Sequence, residues 1–176
     1  MDLLSREEVF KGHVFNVFSD QVEIDGKAYP RDWVQHNGAA AVVPILPNGD
    51  TLLIRQSRWA VERKTLEIVA GKLEPGETPK QCAVRELEEE SGWAVAEDHY
   101  IDLITTIWPS PGYSSERIFI YLAQNLQPGT MKLDDDERIQ IEVMPLEKAR
   151  ALCGVTILDG KSIVGLMMAY DLLNRR

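Results

Sequence analysis

GKLEPGETPKQCAVRELEEESGW, from Gly71 to Trp93, is the stretch on which the reading of this chain turns. It predicts a loop feeding a helix. Thr78 is a good N-cap, Pro79 suits the first helical position, and Gln81 stands where a capping-box partner belongs. Gly92 supplies a left-handed C-terminal stop. At 3.6 residues per turn, Glu86, Glu89 and Glu90 share one face, while Ala83, Val84 and Leu87 turn aside to pack on a sheet.

That crowding of carboxylates has an energetic consequence. Two of them about 5 Å apart at a half-buried site repel by about 3 kcal/mol at an effective dielectric near 20. A hard divalent cation turns that cost into binding energy, because carboxylate oxygens are the ligands that Mg2+ and Mn2+ prefer. The plainer alternative for any acidic run is a solvated helix face. The wider spacing favours the cation. The pattern G-x5-E-x7-R-E-U-x-E-E-x-G-U, with U a bulky apolar residue, is filled without a gap by Gly71, Glu77, Arg85, Glu86, Leu87, Glu89, Glu90, Gly92 and Trp93.

This pattern resembles the Nudix box, the signature of hydrolases acting on nucleoside diphosphates linked to a further moiety. Trp93 stands where Ile, Leu or Val is usual and keeps the apolar character. The resemblance implies an α/β (α+β) fold, an α/β/α sandwich with a mixed sheet. It also implies Mg2+ as cofactor, with Mn2+ able to substitute, held by Glu86, Glu90 and the Ala70 carbonyl with help from Glu89. Arg85 then serves as support for the ligand face through Glu77.

Composition sets the limits. A chain of 176 residues with 44% hydrophobic content can bury a proper core. A net charge of −9 argues against nonspecific nucleic-acid binding and against an anionic membrane surface. Cys82 and Cys153 make no disulfide framework and are expected as free thiols in a reducing cytoplasm. MDLLSREEVF is too polar for a signal peptide, and no apolar run approaches membrane-spanning length.

Two regions follow: residues 1–37, an N-terminal β-hairpin region, and residues 38–176, the hydrolase domain. In the first, VFNVFSDQVEI and KAYPRDWVQ flank Asp25-Gly26, a strong hairpin turn. Phe15, Phe18 and Trp33 there are candidates for subunit anchors or for ordinary core. A homodimer is the expectation, swapped or not. In the second region, AAAVVPIL (39–46) reads as a buried strand, Asn48-Gly49 as a tight turn, and TLEIVA (65–70) as one short strand entering the box. Strands are further expected over 100–107, from Arg117, and over 139–143. Helices are expected over 146–153 and 161–174, the latter with Ile163, Val164, Met167, Tyr170 and Leu173 at helical spacing.

The same resemblance narrows to the ADP-ribose pyrophosphatase branch. It implies that Arg58, in IRQSRW, reaches the substrate diphosphate; a surface arginine paired with an exposed carboxylate is the alternative. Glu67 matches a glutamate that shapes the site. SPGYSSE (110–116) is by itself a turn-rich loop. Beside the box it resembles the branch's substrate loop, with Pro111 and Glu116 in the diagnostic places and Pro109 also fitting a spacing count. LDDDE (133–137) is either a solvated acidic loop or the mobile loop that brings in the catalytic carboxylate. Glu137 is the first choice for that role, with Asp135 and Asp136 next. The implied reaction is hydrolysis of ADP-ribose to AMP and ribose 5-phosphate. The alternatives are a preference for another nucleotide sugar such as GDP-mannose or UDP-glucose, or a domain that senses ADP-ribose without hydrolysing it.

Overall fold

The computed structural model describes residues 1–97, 100–135 and 137–175. They form two compact units, one of residues 1–38 with 108–117, the other of residues 39–107 with 118–176.

The first unit is built on an antiparallel sheet of β1 (Asp2–Lys11), β2 (Asn16–Ile24) and β3 (Lys27–Gln35). Asp25 and Gly26 both take positive φ, 52° and 76°, which closes β2 on β3 with the twist that a two-residue hairpin needs. The sequence pointed to this hairpin but not to β1. Two register shifts, at Leu3/Ser5 and Glu8/Phe10, break the alternation by which β1 could have been recognised. Asp20 holds the three strands together. It accepts a fork from Arg6 (2.9 and 2.7 Å) and an indole N–H from Trp33 (3.0 Å). Residues 108–117 join β3 through Val34 N–H to Tyr113 O (2.7 Å) and Ser115 N–H to Val34 O (2.9 Å).

The second unit holds a mixed sheet in the order β7 (Val69–Lys72), β4 (Ala39–Pro44), β10 (Ile118–Ala123), β9 (Ile101–Ile107). Only the β4–β10 pairing is parallel. Every residue of β4 is buried, and the alternation of its side chains explains the layering. Ala40 and Val42 enter one core with Cys82, Ala83 and Leu87 of α1 (Pro79–Ser91). Ala39, Ala41 and Val43 enter another with Leu166 and Ala169 of α3 (Gly160–Asn174). The sheet therefore lies between helices, as the sequence implied. A second antiparallel sheet runs β12 (Gln140–Pro145), β5 (Asp50–Arg58), β6 (Arg63–Glu67). A short pair joins β8 (Trp93–Val95) to β11 (Leu126–Pro128), and α2 spans Leu146–Leu152.

One expectation needs correction. TLEIVA is two strands rather than one. β6 pairs with β5 and β7 pairs with β4, so the chain changes sheets at Ile68. Ile68 is fully buried, and its N–H is taken by the Ser162 hydroxyl at 2.9 Å instead of by a strand. This change of sheet brings Glu67 and Ala70, three residues apart, to two different parts of one site.

Candidate active site

The box helix forms as its local signals require. Thr78 and Gln81 make a reciprocal capping box, Pro79 opens the helix, and Gly92 ends it at φ 71° with its N–H on Glu88 O. Cys82, Ala83 and Leu87 are completely buried against β4 and β7. Burial of that face turns Glu86 and Glu90 onto the strand opposite. Ala70 N–H donates to Glu90 Oε2 at 3.0 Å. At Gly71 a Cβ would stand 1.7 Å from Glu86 Oε1. Only glycine lets the Glu86 carboxylate lie flat on the strand.

Arg85 ties the face together. Its Nε and Nη2 close on the two Glu77 oxygens (2.9 and 3.0 Å), and Nη1 reaches Glu86 (2.7 Å) and Glu89 (3.1 Å). These bonds, Glu77 first, raise the Arg85 pKa well above its ordinary value, and the same fork lowers that of Glu77. Glu86 is nevertheless raised: its burial, with Glu89 and Glu137 nearby, outweighs Arg85. Glu90 is raised further, to about 8, by burial and by the charges of Glu86 and Glu137, against which stand the Ala70 N–H and the more distant Arg58.

Beside these two acids, whose pKa values burial raises, lies one that its partners hold down. Glu67, 2% exposed, accepts a two-pronged bond from Arg58 Nε and Nη2, both at 2.8 Å, and contacts the buried ammonium of Lys161. Thr65 Oγ1 adds a bond at 2.5 Å. Burial pushes Glu67 up, but the two cations prevail and hold it at about 2. Arg58 is thus bound to a buried carboxylate rather than to the exposed partner that the sequence left open.

The acidic loop is anchored on the helix. Gly129 N–H bonds Gly92 O (2.9 Å), Thr130 N–H bonds Glu88 Oε1 (3.1 Å), and Lys132 N–H bonds Glu89 O (2.9 Å). Further on, Asp134 and Glu137 cap each other: each backbone N–H reaches the other residue, at 3.0 Å. The Glu137 charge is felt at both Glu86 and Glu90. Asp135 is exposed, and its carbonyl takes Arg138 Nη1. Asp136 lies outside the described residues.

Pro111 and Glu116 belong to the other unit. Pro111 is exposed in a turn closed by Ser114 N–H on Ser110 O (2.9 Å), and Glu116 Oε1 stands 3.9 Å from His36 Nδ1. The second unit thus gathers Ala70, Glu86, Glu89, Glu90, Arg85, Arg58 and Glu67, with Glu137 in electrostatic reach. Sequence reasoning missed Lys161 and Asp159. Their signal is the run Asp159-Gly160-Lys161-Ser162, an acidic cap followed by a lysine at the head of an apolar helix.

Among the described residues no three carboxylate, imidazole or thiolate groups already converge as a metal group, and Arg85 bridges Glu86 and Glu89. The donor chemistry still fits a hard divalent cation. All the candidate ligands are oxygens, and burial leaves Glu86 and Glu90 with raised pKa values that a cation would reverse.

The mixed sheet between helices, with a complete box on α1, defines a Nudix hydrolase. A match to the NUDIX domain spans residues 35–160, and the chain belongs to that family. It is 38% identical over 152 residues to the ADP-ribose pyrophosphatase of Bacillus subtilis, covering 85% of this chain and 80% of that one. It is also 33% identical over 167 residues to the methanol dehydrogenase activator of Bacillus methanolicus, covering 93% and 89%. The crystal structure of an ADP compounds hydrolase superposes with a TM-score of 0.82 over 98% of this chain and 93% of that one, at 24% identity, which shows the shared fold. Among the described residues no helix is long and apolar enough to cross a membrane.

Proposed function

We propose that this protein is a Mg2+-dependent pyrophosphatase that hydrolyses ADP-ribose to AMP and ribose 5-phosphate. The observation that carries the reading is its 38% identity, over most of both chains, to an ADP-ribose pyrophosphatase. The complete acidic face of α1 agrees with it: Glu90 is a buried carboxylate, raised by burial and by neighbouring carboxylates, that a bound cation would relieve and that a domain only sensing ADP-ribose would not need.

The ion would be held by Glu86, Glu90 and the Ala70 carbonyl, with Glu89 assisting and Mn2+ able to substitute. When bound it would screen the diphosphate and acidify a water. Glu137 positions the attacking water and takes its proton as oxygen attacks one phosphorus; the bridging oxygen departs with the other phosphate. Asp135 and Asp136 are the next candidates for that role. Arg85 keeps Glu86 and Glu89 in place through Glu77. Arg58 meets the diphosphate, for which its planar fork is well shaped. Glu67 shapes the site beside Arg58, and Pro111 and Glu116 are proposed as substrate-loop residues. The enzyme works in the cytoplasm as a homodimer, with the N-terminal region, 1–37, contributing subunit contacts.

A product assay tests the reading. ADP-ribose, GDP-mannose and UDP-glucose are each offered with Mg2+, and the nucleoside monophosphate and sugar phosphate released from each are measured. ADP-ribose should be the fastest substrate, and chelation of the cation should abolish turnover. ADP-ribose among the slowest would discard the substrate assignment and leave the hydrolase.

A further inference from the structure

Lys161 is a buried charge that the reaction above leaves without a task. Its side chain is 9% exposed. Nζ contacts Glu67 Oε2 and lies 3.0 Å from Asp159 Oδ2. A buried ammonium is tolerable only with such partners. Asp159 also caps α3 by accepting the Ser162 N–H at 3.0 Å, and the Ser162 hydroxyl takes the Ile68 N–H. The head of α3 is therefore locked to the point where the chain leaves β6 for β7. Lys161 is held from below, and Glu67 is held from two sides.

Those sides differ. Arg58 is 43% exposed and approaches Glu67 from outside; Lys161 approaches from within. A guanidinium whose Nε and Nη2 are closed on Glu67 cannot present the same fork to a phosphate. Drawing it away would strip a buried carboxylate of a partner, which is strongly unfavourable when nothing replaces it. We propose that Lys161 is a positioning residue for substrate binding: it neutralises Glu67 from inside the fold, so that Arg58 can turn its fork to the diphosphate without stranding a buried charge. This rests on the assignment of Arg58 to the diphosphate.

KM and kcat for ADP-ribose at saturating Mg2+ are measured for the full chain carrying Lys161→Met, Glu67→Gln, both together, and Arg58→Met. Lys161→Met should raise KM about tenfold or more and leave kcat within about threefold of the parent. Combined with Glu67→Gln, it should bring KM back to within about threefold of Glu67→Gln alone, because no buried carboxylate is left to strand. A lysine that only supported the fold would instead add its loss to that of Glu67→Gln. Arg58→Met raising KM while Lys161→Met leaves it at the parental value would overturn the inference and spare the role of Arg58. Arg58→Met with parental KM would overturn both. Should Lys161→Met fail to fold, the doubly substituted protein decides: a KM far above that of Glu67→Gln alone overturns the proposal.

Discussion

Glu67 and Glu90 are buried almost equally, at 2% and 3% exposure, yet their surroundings drive them in opposite directions. Glu67 is met by Arg58 and Lys161 and is held at about 2. Glu90 receives one backbone N–H at 3.0 Å, stands near two like charges, and rises to about 8. Burial alone raises both. The difference is whether the fold brings its own cations. At Glu67 it does, and the carboxylate is part of the scaffold. At Glu90 the charge of Arg58 is outweighed by burial and by two like charges, and the negative charge is left for a cation from solution.

The largest effect expected from breaking this contrast is on turnover. Glu90→Gln keeps the shape and removes the charge. With the proposed ligand lost, kcat should fall about a hundredfold or more, while the cation-free protein stays folded with its melting temperature undiminished. Parental activity at saturating Mg2+ would remove Glu90 from the ligand set. Glu67→Gln should behave the other way. It leaves Lys161 and the inner side of Arg58 without their shared carboxylate, at a cost to stability of about 3 kcal/mol. Urea unfolding at neutral pH reads this directly. Equal stability of parent and variant would mean that the cluster is not the scaffold described here.

How much of this contrast could be read from the chain depends on the distance of the partners. The Glu90 side was legible. Thr78, Pro79, Gln81 and Gly92 act within one helical turn of the helix ends, so they fix the span of α1, and that span fixes the common face of Glu86 and Glu90. Arg85 and Glu77 are eight residues apart and fall within the same motif. The Glu67 side was not legible. Lys161 meets Glu67 across 94 residues of chain, and a lysine beside an apolar helix reads in sequence as a surface charge. Nor does a short apolar run state which sheet it joins, so the change of partner at Ile68 was invisible until the hydroxyl of Ser162 was seen to take its N–H. Strand β1 was hidden by its own register shifts.

Glu137 sharpens the comparison at lower cost. Its charge reaches Glu86 and Glu90, the two acids whose pKa values burial raises. Glu137→Gln should reduce kcat about tenfold to a hundredfold, yet cation uptake measured by calorimetry should persist, since the proposed ligands are intact. Loss of uptake equal to that in Glu90→Gln would make Glu137 a ligand. Unchanged turnover would move the base to Asp135 or Asp136.

The pH dependence of stability is the most direct reading of the two signs. Glu67 is held below its ordinary 4.5, so its contribution to stability is complete above that pH and is lost as the pH falls toward about 2. Glu90 is raised. Between its ordinary 4.5 and about 8, the folded protein holds a proton that the unfolded chain has released. Stability of the cation-free protein should therefore decline as the pH rises through that window. Melting temperatures in a chelating buffer, from about pH 5 to about pH 9, should fall more steeply for the parent than for Glu90→Gln, which has no proton to lose there. Saturating Mg2+ should flatten the parental curve, because the cation takes over the charge that the proton had been masking. Superimposable slopes for parent and variant would show that Glu90 is already compensated within the fold, and the distinction between the two glutamates would collapse.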